Sequence, residues 1–172
     1  PSFTWVSTAN VVEHCGAKPV FVDVDPVSFT ISVEGVAEAQ TSRTKAVIPV
    51  HLFGLCADIY GIGKVLAPDV HIIEDAACAA GAMYQGKHAG SLGVAACFSF
   101  HPRKSITTGE GGMITTNDEK LAAKLRTLRN HGASISEEQR HFGPQPYILP
   151  DFDELGFNFR MTDLQGAVGL VQ

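Results

Sequence analysis

Basic residues are scarce in this chain. Thirteen Lys+Arg face eighteen Asp+Glu across 172 residues, a formal net charge of −5. Such a surface offers no positive field to hold nucleic acid or an anionic membrane non-specifically, and neither is expected as a partner. Long apolar runs are missing too. The longest, Gly93–Phe100 and the residues around His71–Glu74, fall far short of the roughly 20 residues that a membrane-spanning helix needs. Cysteine is sparse: Cys15, Cys56, Cys78 and Cys97 stand far apart, with no Cys-x-x-Cys pair and no charged-then-apolar leader before them. That usage predicts a reducing, cytoplasmic setting. Seven histidines accompany them, but no two His or Cys stand at ligand spacing on one element, so no metal site is expected.

What is present suits one globular unit: 45% of residues are apolar and 18% charged. The first residue is Pro1, and Arg160–Gln172 reads as a helix with no Gly or Pro stop after it. The chain is therefore expected to be a piece of a longer one.

Two segment types alternate along it. Pro19–Val24, Ala46–Val50, Val70–Glu74, Ala95–Phe100 and Met113–Thr116 are short β-branched or aromatic runs bounded by turn residues, the pattern of buried strands. Between them lie helices predicted over Thr4–Cys15, Ser32–Ala39, Asp58–Leu66 and Asp118–His131. Ser32, Asp58 and Asn117 or Asp118 are their N-caps, and Gly16 and Gly132 are stops. In the last, Leu121, Leu125 and Leu128 form the apolar stripe. The alternation predicts an α/β fold, a three-layer α/β/α sandwich on a mainly parallel sheet. Ile135–Gly156, with Pro144, Pro146 and Pro150 and no steady period, reads as a long surface excursion.

In parallel sheets, ligands bind beyond the carboxyl ends of the strands. Asp75 stands there, after Ile72-Ile73-Glu74 and before a run of Ala and Gly; by itself it also suits a helix N-cap. Glu74 points to the opposite side of the strand. Ser99 ends the next strand, and Lys104 follows after His101-Pro102-Arg103 and before the Gly109–Gly112 turn. Its ammonium then hangs over the strand ends instead of spreading into solvent, which is where a carbonyl-binding lysine is needed. Trp5, the single tryptophan, reads as core packing or as a flat ring at a helix start suited to stacking. His51 reads as a polar gate to the crevice or as a satisfied core histidine.

These residues stand in a longer pattern. Pro1–Thr8, Pro19–Asp25, Thr44–His51, Ile73–Ala77, Phe98–His101 with Lys104, Gly109–Gly112, Arg129–Gly132 and Gly156–Asp163 together resemble the DegT/DnrJ/EryC1/StrS family of pyridoxal-phosphate-dependent nucleotide-sugar aminotransferases. The resemblance implies the large domain of a fold-type-I enzyme, lacking an upstream segment and a C-terminal small domain. It implies transfer of an amino group from glutamate to a keto group of a nucleotide-linked sugar, in a homodimer with shared active sites. Lys104 would be the Schiff-base lysine and proton carrier, Asp75 the partner of the pyridine nitrogen, and Ser99 a phosphate ligand. Trp5 would stack on the ring, Asn158 would reach the phosphate of the neighbouring subunit's cofactor, and His51 would lie near substrate. At Cys78 the family usually has Gln or His against the ring's phenolic oxygen, and a thiol is a weaker donor. Two rival readings stand beside this one: a sugar dehydratase of this family, which has His in place of the lysine and against which Lys104 argues, and a non-catalytic sensory protein that keeps the fold, which the joint presence of Asp75, Ser99 and Lys104 disfavours.

Overall fold

Every expected strand but one finds a neighbour. The computed structural model describes residues 1–145 and 147–172. Its strands are β1 (Ala46–Val47), β2 (His71–Asp75), β3 (Met83–Tyr84), β4 (Lys87–His88), β5 (Ala95–Ser99) and β6 (Gly112–Thr115). One sheet runs in the order β1-β2-β5-β6. β1, β2 and β5 are mutually parallel and β6 is antiparallel to β5, pairing Ser99 with Gly112. β1 is shorter than the expected Ala46–Val50 because Pro49 has no N–H to give a ladder; pairing resumes as a single bridge between Val50 and Asp75. β3 and β4 form a hairpin that the sequence reading missed. Gln85 and Gly86 both take positive φ at its turn, as a type I′ turn requires, and Gln is an unusual residue there.

Pro19–Val24, expected as a strand, joins no ladder; its sole bridge links Val24 to Ile31. A groove of about 500 Å³, lined by Pro19–Val22 on one side and Thr44–Ile48 on the other, separates it from β1. Among the described residues no strand pairs with it, whatever the β-propensity of the segment.

The helices are α1 (Ser7–His14), α2 (Val33–Ala39), α3 (Ile59–Val65), α4 (Glu119–Leu128), α5 (Glu137–Phe142) and α6 (Asp163–Leu170). Ser32, Asp58 and Asp118 cap α2, α3 and α4 through their side chains, as their positions predict. α5 lies inside the segment read as an excursion; Ser136 and Gln139 close a capping box on it, and six residues are too few to display an apolar period. α6 starts three residues later than expected, at a capping box of Thr162 and Gln165.

The main core packs Val36 of α2 and Ile59 and Ile62 of α3 with Ile31, against Val47 and Ile72 of the sheet. Fully burying each such side chain contributes about 1.5–3 kcal/mol. Since strand side chains alternate, Ile72 and Glu74 share this covered face while Asp75 points the other way. Cys97 is the register partner of Asp75, and Ser99 lies two residues beyond it. Asp75 and Ser99 therefore share one face at one rim.

The segment before Asn158 is locked to the end of α4. His131 N–H donates to Phe157 O at 2.9 Å and Phe157 N–H to Leu128 O at 2.8 Å. Gly132 makes this approach possible: it has φ +79, and a Cβ there would lie 1.9 Å from the carbonyl oxygen of Glu154. Gly132→Ala is expected to destabilise the protein by on the order of 2 kcal/mol or more, read as a lower urea midpoint at an unchanged slope. Wild-type stability would mean that the two segments do not pack this closely.

Candidate active site

β2 delivers a carboxylate to the rim of the sheet, and the backbone just beyond holds it. Asp75 Oδ1 accepts from Ala77 N–H at 3.2 Å, and Oδ2 accepts from the Thr8 hydroxyl at 2.8 Å. Asp75 is not a helix N-cap: a turn follows it, not a helix. The backbone N–H and C=O of Asp75 are also engaged, with Pro49 O and His51 N, both at 2.9 Å. One lone pair on each carboxylate oxygen remains for a further donor.

Lys104 sits on a loop clamped at its base by the β5–β6 pairing. Phe100 N–H donates to Gly111 O at 2.8 Å and Thr108 N–H to Phe100 O at 3.1 Å. Within the loop, Lys104 N–H reaches His101 O at 2.9 Å, and the His101 ring accepts Arg103 N–H on Nδ1 at 3.1 Å. The loop aims the Lys104 amine back across the rim, where Nζ lies 3.2 Å from Cys78 Sγ. Cys78 is three residues past Asp75, so amine and carboxylate stand over adjacent parallel strands. Ser99 Oγ accepts from His101 N–H at 3.3 Å, leaving its own proton to donate.

Behind this rim is a buried polar cluster. Glu74 and His51 are both 0% exposed. One Glu74 oxygen accepts from His51 Nε2 and Gly90 N–H, each at 2.8 Å; the other accepts from Leu92 N–H at 2.8 Å and Gly93 N–H at 2.7 Å. Ala57 N–H donates to His51 Nδ1 at 3.1 Å, which assigns the ring proton to Nε2. With both nitrogens engaged and no exposed surface, His51 has nothing to offer a substrate. Of the two readings of His51, the satisfied core histidine is the one that fits its burial and its two hydrogen bonds, which tie β2 to the turn after β1.

Trp5 also departs from its first reading. It stands in the turn before α1, not on the helix, and is 70% exposed, so it packs in no core and keeps a ring face free. The helix starts late because Val6 supplies no side-chain cap and the Thr8 hydroxyl is committed to Asp75. Asn158 is exposed and held by an antiparallel bridge to Asn130; among the described residues no hydrogen bond links it to Asp75, Ser99 or Lys104. The structure thus gathers Asp75, Cys78, Ser99 and Lys104 and leaves Asn158 on a separate segment. Thr8 was missed, and no local pattern announces it, since the contact joins residues 67 apart in sequence.

An amine that can bond a carbonyl carbon, opposite a carboxylate that can hold a protonated heterocycle, is a pairing suited to carbanion chemistry on a ring cofactor. The chain matches known proteins along its length. It is 48% identical to GDP-perosamine synthase of Caulobacter vibrioides, covering 100% of this chain and 44% of that protein. PseC of Helicobacter pylori, an aminotransferase involved in the biosynthesis of pseudoaminic acid, superposes with a TM-score of 0.89 at 30% identity, over 99% of this chain and 44% of its own. The PLP-form of Spr1654 from Streptococcus pneumoniae gives 0.87 at 28% identity, over 99% and 46%. The chain therefore spans less than half the length of each of these relatives. The model of the DegT/DnrJ/EryC1/StrS aminotransferase family matches residues 1–172, and the chain belongs to that family.

Proposed function

We propose that this chain is the catalytic part of the large domain of a pyridoxal-phosphate-dependent aminotransferase that moves an amino group from glutamate to a keto group of a nucleotide-linked sugar. The observation that carries the reading is the approach of Lys104 Nζ to within 3.2 Å of Cys78 Sγ, on the turn that Asp75 begins. The donor set fits the cofactor group by group. Lys104 is an amine for its aldehyde, Asp75 a carboxylate with lone pairs free for its pyridine nitrogen, Ser99 a hydroxyl for its phosphate, and Trp5 an exposed face for its ring. Cys78 would meet the phenolic oxygen in place of a stronger donor. When bound, the cofactor supplies an electron sink for the bond that breaks at the amino-bearing carbon.

The chain's own residues do the rest. Lys104, on a loop fixed at both ends, moves the proton between the substrate carbon and the cofactor carbon. Asp75, held by Thr8 and Ala77, keeps the ring nitrogen protonated through its negative charge. The placement of His101 speaks against the dehydratase reading. Its Nδ1 is used by Arg103 N–H, within its own loop, while Lys104 reaches over the strand ends.

The proposal extends to a cytoplasmic homodimer in which Asn158 serves the partner's site. Supporting it, Phe157 and Phe159 stack at 4.9 Å between centroids, yet both rings and the 92%-exposed Leu155 stay uncovered, a patch of the kind that association buries. The described cysteines are all free, and no described helix is long and apolar enough to cross a membrane.

The full-length protein should turn yellow with pyridoxal phosphate, and borohydride followed by peptide mass spectrometry should place the pyridoxyl group on Lys104. Glutamate with a panel of nucleotide keto-sugars should then yield an aminated sugar. An adduct on another residue defeats the site assignment; cofactor binding without turnover on any panel member favours a sensory role.

A further inference from the structure

We infer that Thr8 is a positioning residue for the cofactor-binding carboxylate, coupling Asp75 to the Trp5 turn; this rests on the aminotransferase reading above. Thr8 is the second residue of α1, where a hydroxyl ordinarily faces solvent or the helix's own backbone. Here it crosses to β2 and donates to Asp75 Oδ2 at 2.8 Å. Its backbone N–H meanwhile donates to Trp5 O at 3.2 Å. One residue therefore touches both groups proposed to grip the ring, Trp5 over its face and Asp75 at its far edge.

The geometry explains why a threonine is useful there. With Ala77 N–H on Oδ1 and Thr8 on Oδ2, the carboxylate has a donor on each oxygen, so its plane cannot rotate without breaking one of them. The remaining lone pair of each oxygen is then aimed in a fixed direction before any ligand arrives. Preorganisation of this kind raises affinity by removing the cost of orienting the group on binding. Val at this position would keep the shape and the helix but lose the only side-chain donor to Asp75 among the described residues.

The test uses the full-length protein freed of cofactor, titrated with pyridoxal phosphate by visible absorbance. Thr8→Val should weaken binding about tenfold, the effect of losing one hydrogen bond to a charged group, while Thr8→Ser should stay within about twofold of wild type. Placed on an Asp75→Asn background, Thr8→Val should have little further effect, because the acceptor it serves has lost its charge. Wild-type affinity in Thr8→Val, or an equal loss with and without the Asp75 carboxylate, overturns the inference. If the valine variant fails to fold, Thr8→Cys, of similar volume and with a weaker donor, is titrated in the same way and should fall between wild type and the tenfold loss; wild-type affinity there has the same force. A wild-type protein that binds no cofactor overturns the aminotransferase reading itself, and the positioning role falls with it.

Discussion

Lys104→Ala is expected to lower turnover of the full-length enzyme by about 10²–10⁴-fold, the usual worth of a positioned general acid–base. The expectation follows from the loop geometry. Pro102 and the clamped base between Phe100 and Gly111 fix where the amine projects, and no other described lysine contacts the turn after Asp75. Lys104→Arg should be equally inactive despite keeping the charge, because a guanidinium does not give up its proton in this pH range and cannot bond a carbonyl carbon. Cofactor should still bind to Lys104→Ala through Asp75, Ser99 and Trp5, but borohydride should no longer fix it to the protein. Added small primary amines should restore part of the rate, since the alanine variant leaves room for a free base. Wild-type turnover in Lys104→Ala, with the adduct moved to another lysine, would remove Lys104 from the site.

The second large effect concerns stability. Glu74→Ala strands four donors, His51 Nε2–H and the amides of Gly90, Leu92 and Gly93, in a place with no exposed surface. Leaving such buried donors unpaired costs about 1–3 kcal/mol for each one that water cannot reach, measurable as a lowered denaturant midpoint. Glu74→Gln keeps the volume but turns an NH₂ toward donors, so it should also destabilise. The pH dependence has a definite sign. Burial pushes the Glu74 carboxyl up, but the hydrogen bond from His51 and those from the Gly90, Gly93 and Leu92 amides outweigh it, and the group lies below its ordinary value in the fold. Its contribution is therefore complete above the unfolded-state pKa and is lost as pH falls through the folded one. Glu74→Gln should flatten that acid limb of the stability profile; an unchanged limb would show that other carboxylates carry it.

Much of the site is legible from sequence because its residues follow strands. Asp75 and Ser99 end short β-branched or aromatic runs, and Pro102 with the Gly109–Gly112 turn forces Lys104 back over them. The caps at Ser32, Asp58 and Asp118 are equally local, each set by the residues that follow. What stays hidden is whatever depends on a distant neighbour. Pro19–Val24 has the composition of a strand, but pairing belongs to the strand beside it. The partners of Glu74 are mostly backbone amides of Gly90, Leu92 and Gly93, which carry no side-chain signature. Trp5 is as apolar as a core residue, and only the fold reveals that nothing covers it. The resemblance to sugar aminotransferases supplied roles that spacing alone leaves open, whereas the burial of His51 is a property of the packing that spacing does not reveal.

The groove between Pro19–Val22 and Thr44–Ile48 has a consequence for handling the polypeptide. β1 is the outermost strand of its sheet, and its free margin borders this mostly apolar groove. A bare margin of this sort is adhesive, because any passing stretch of polypeptide can satisfy its amides and carbonyls. Association through this edge, with another extended backbone seated against β1, is the behaviour that such a margin predicts as concentration rises.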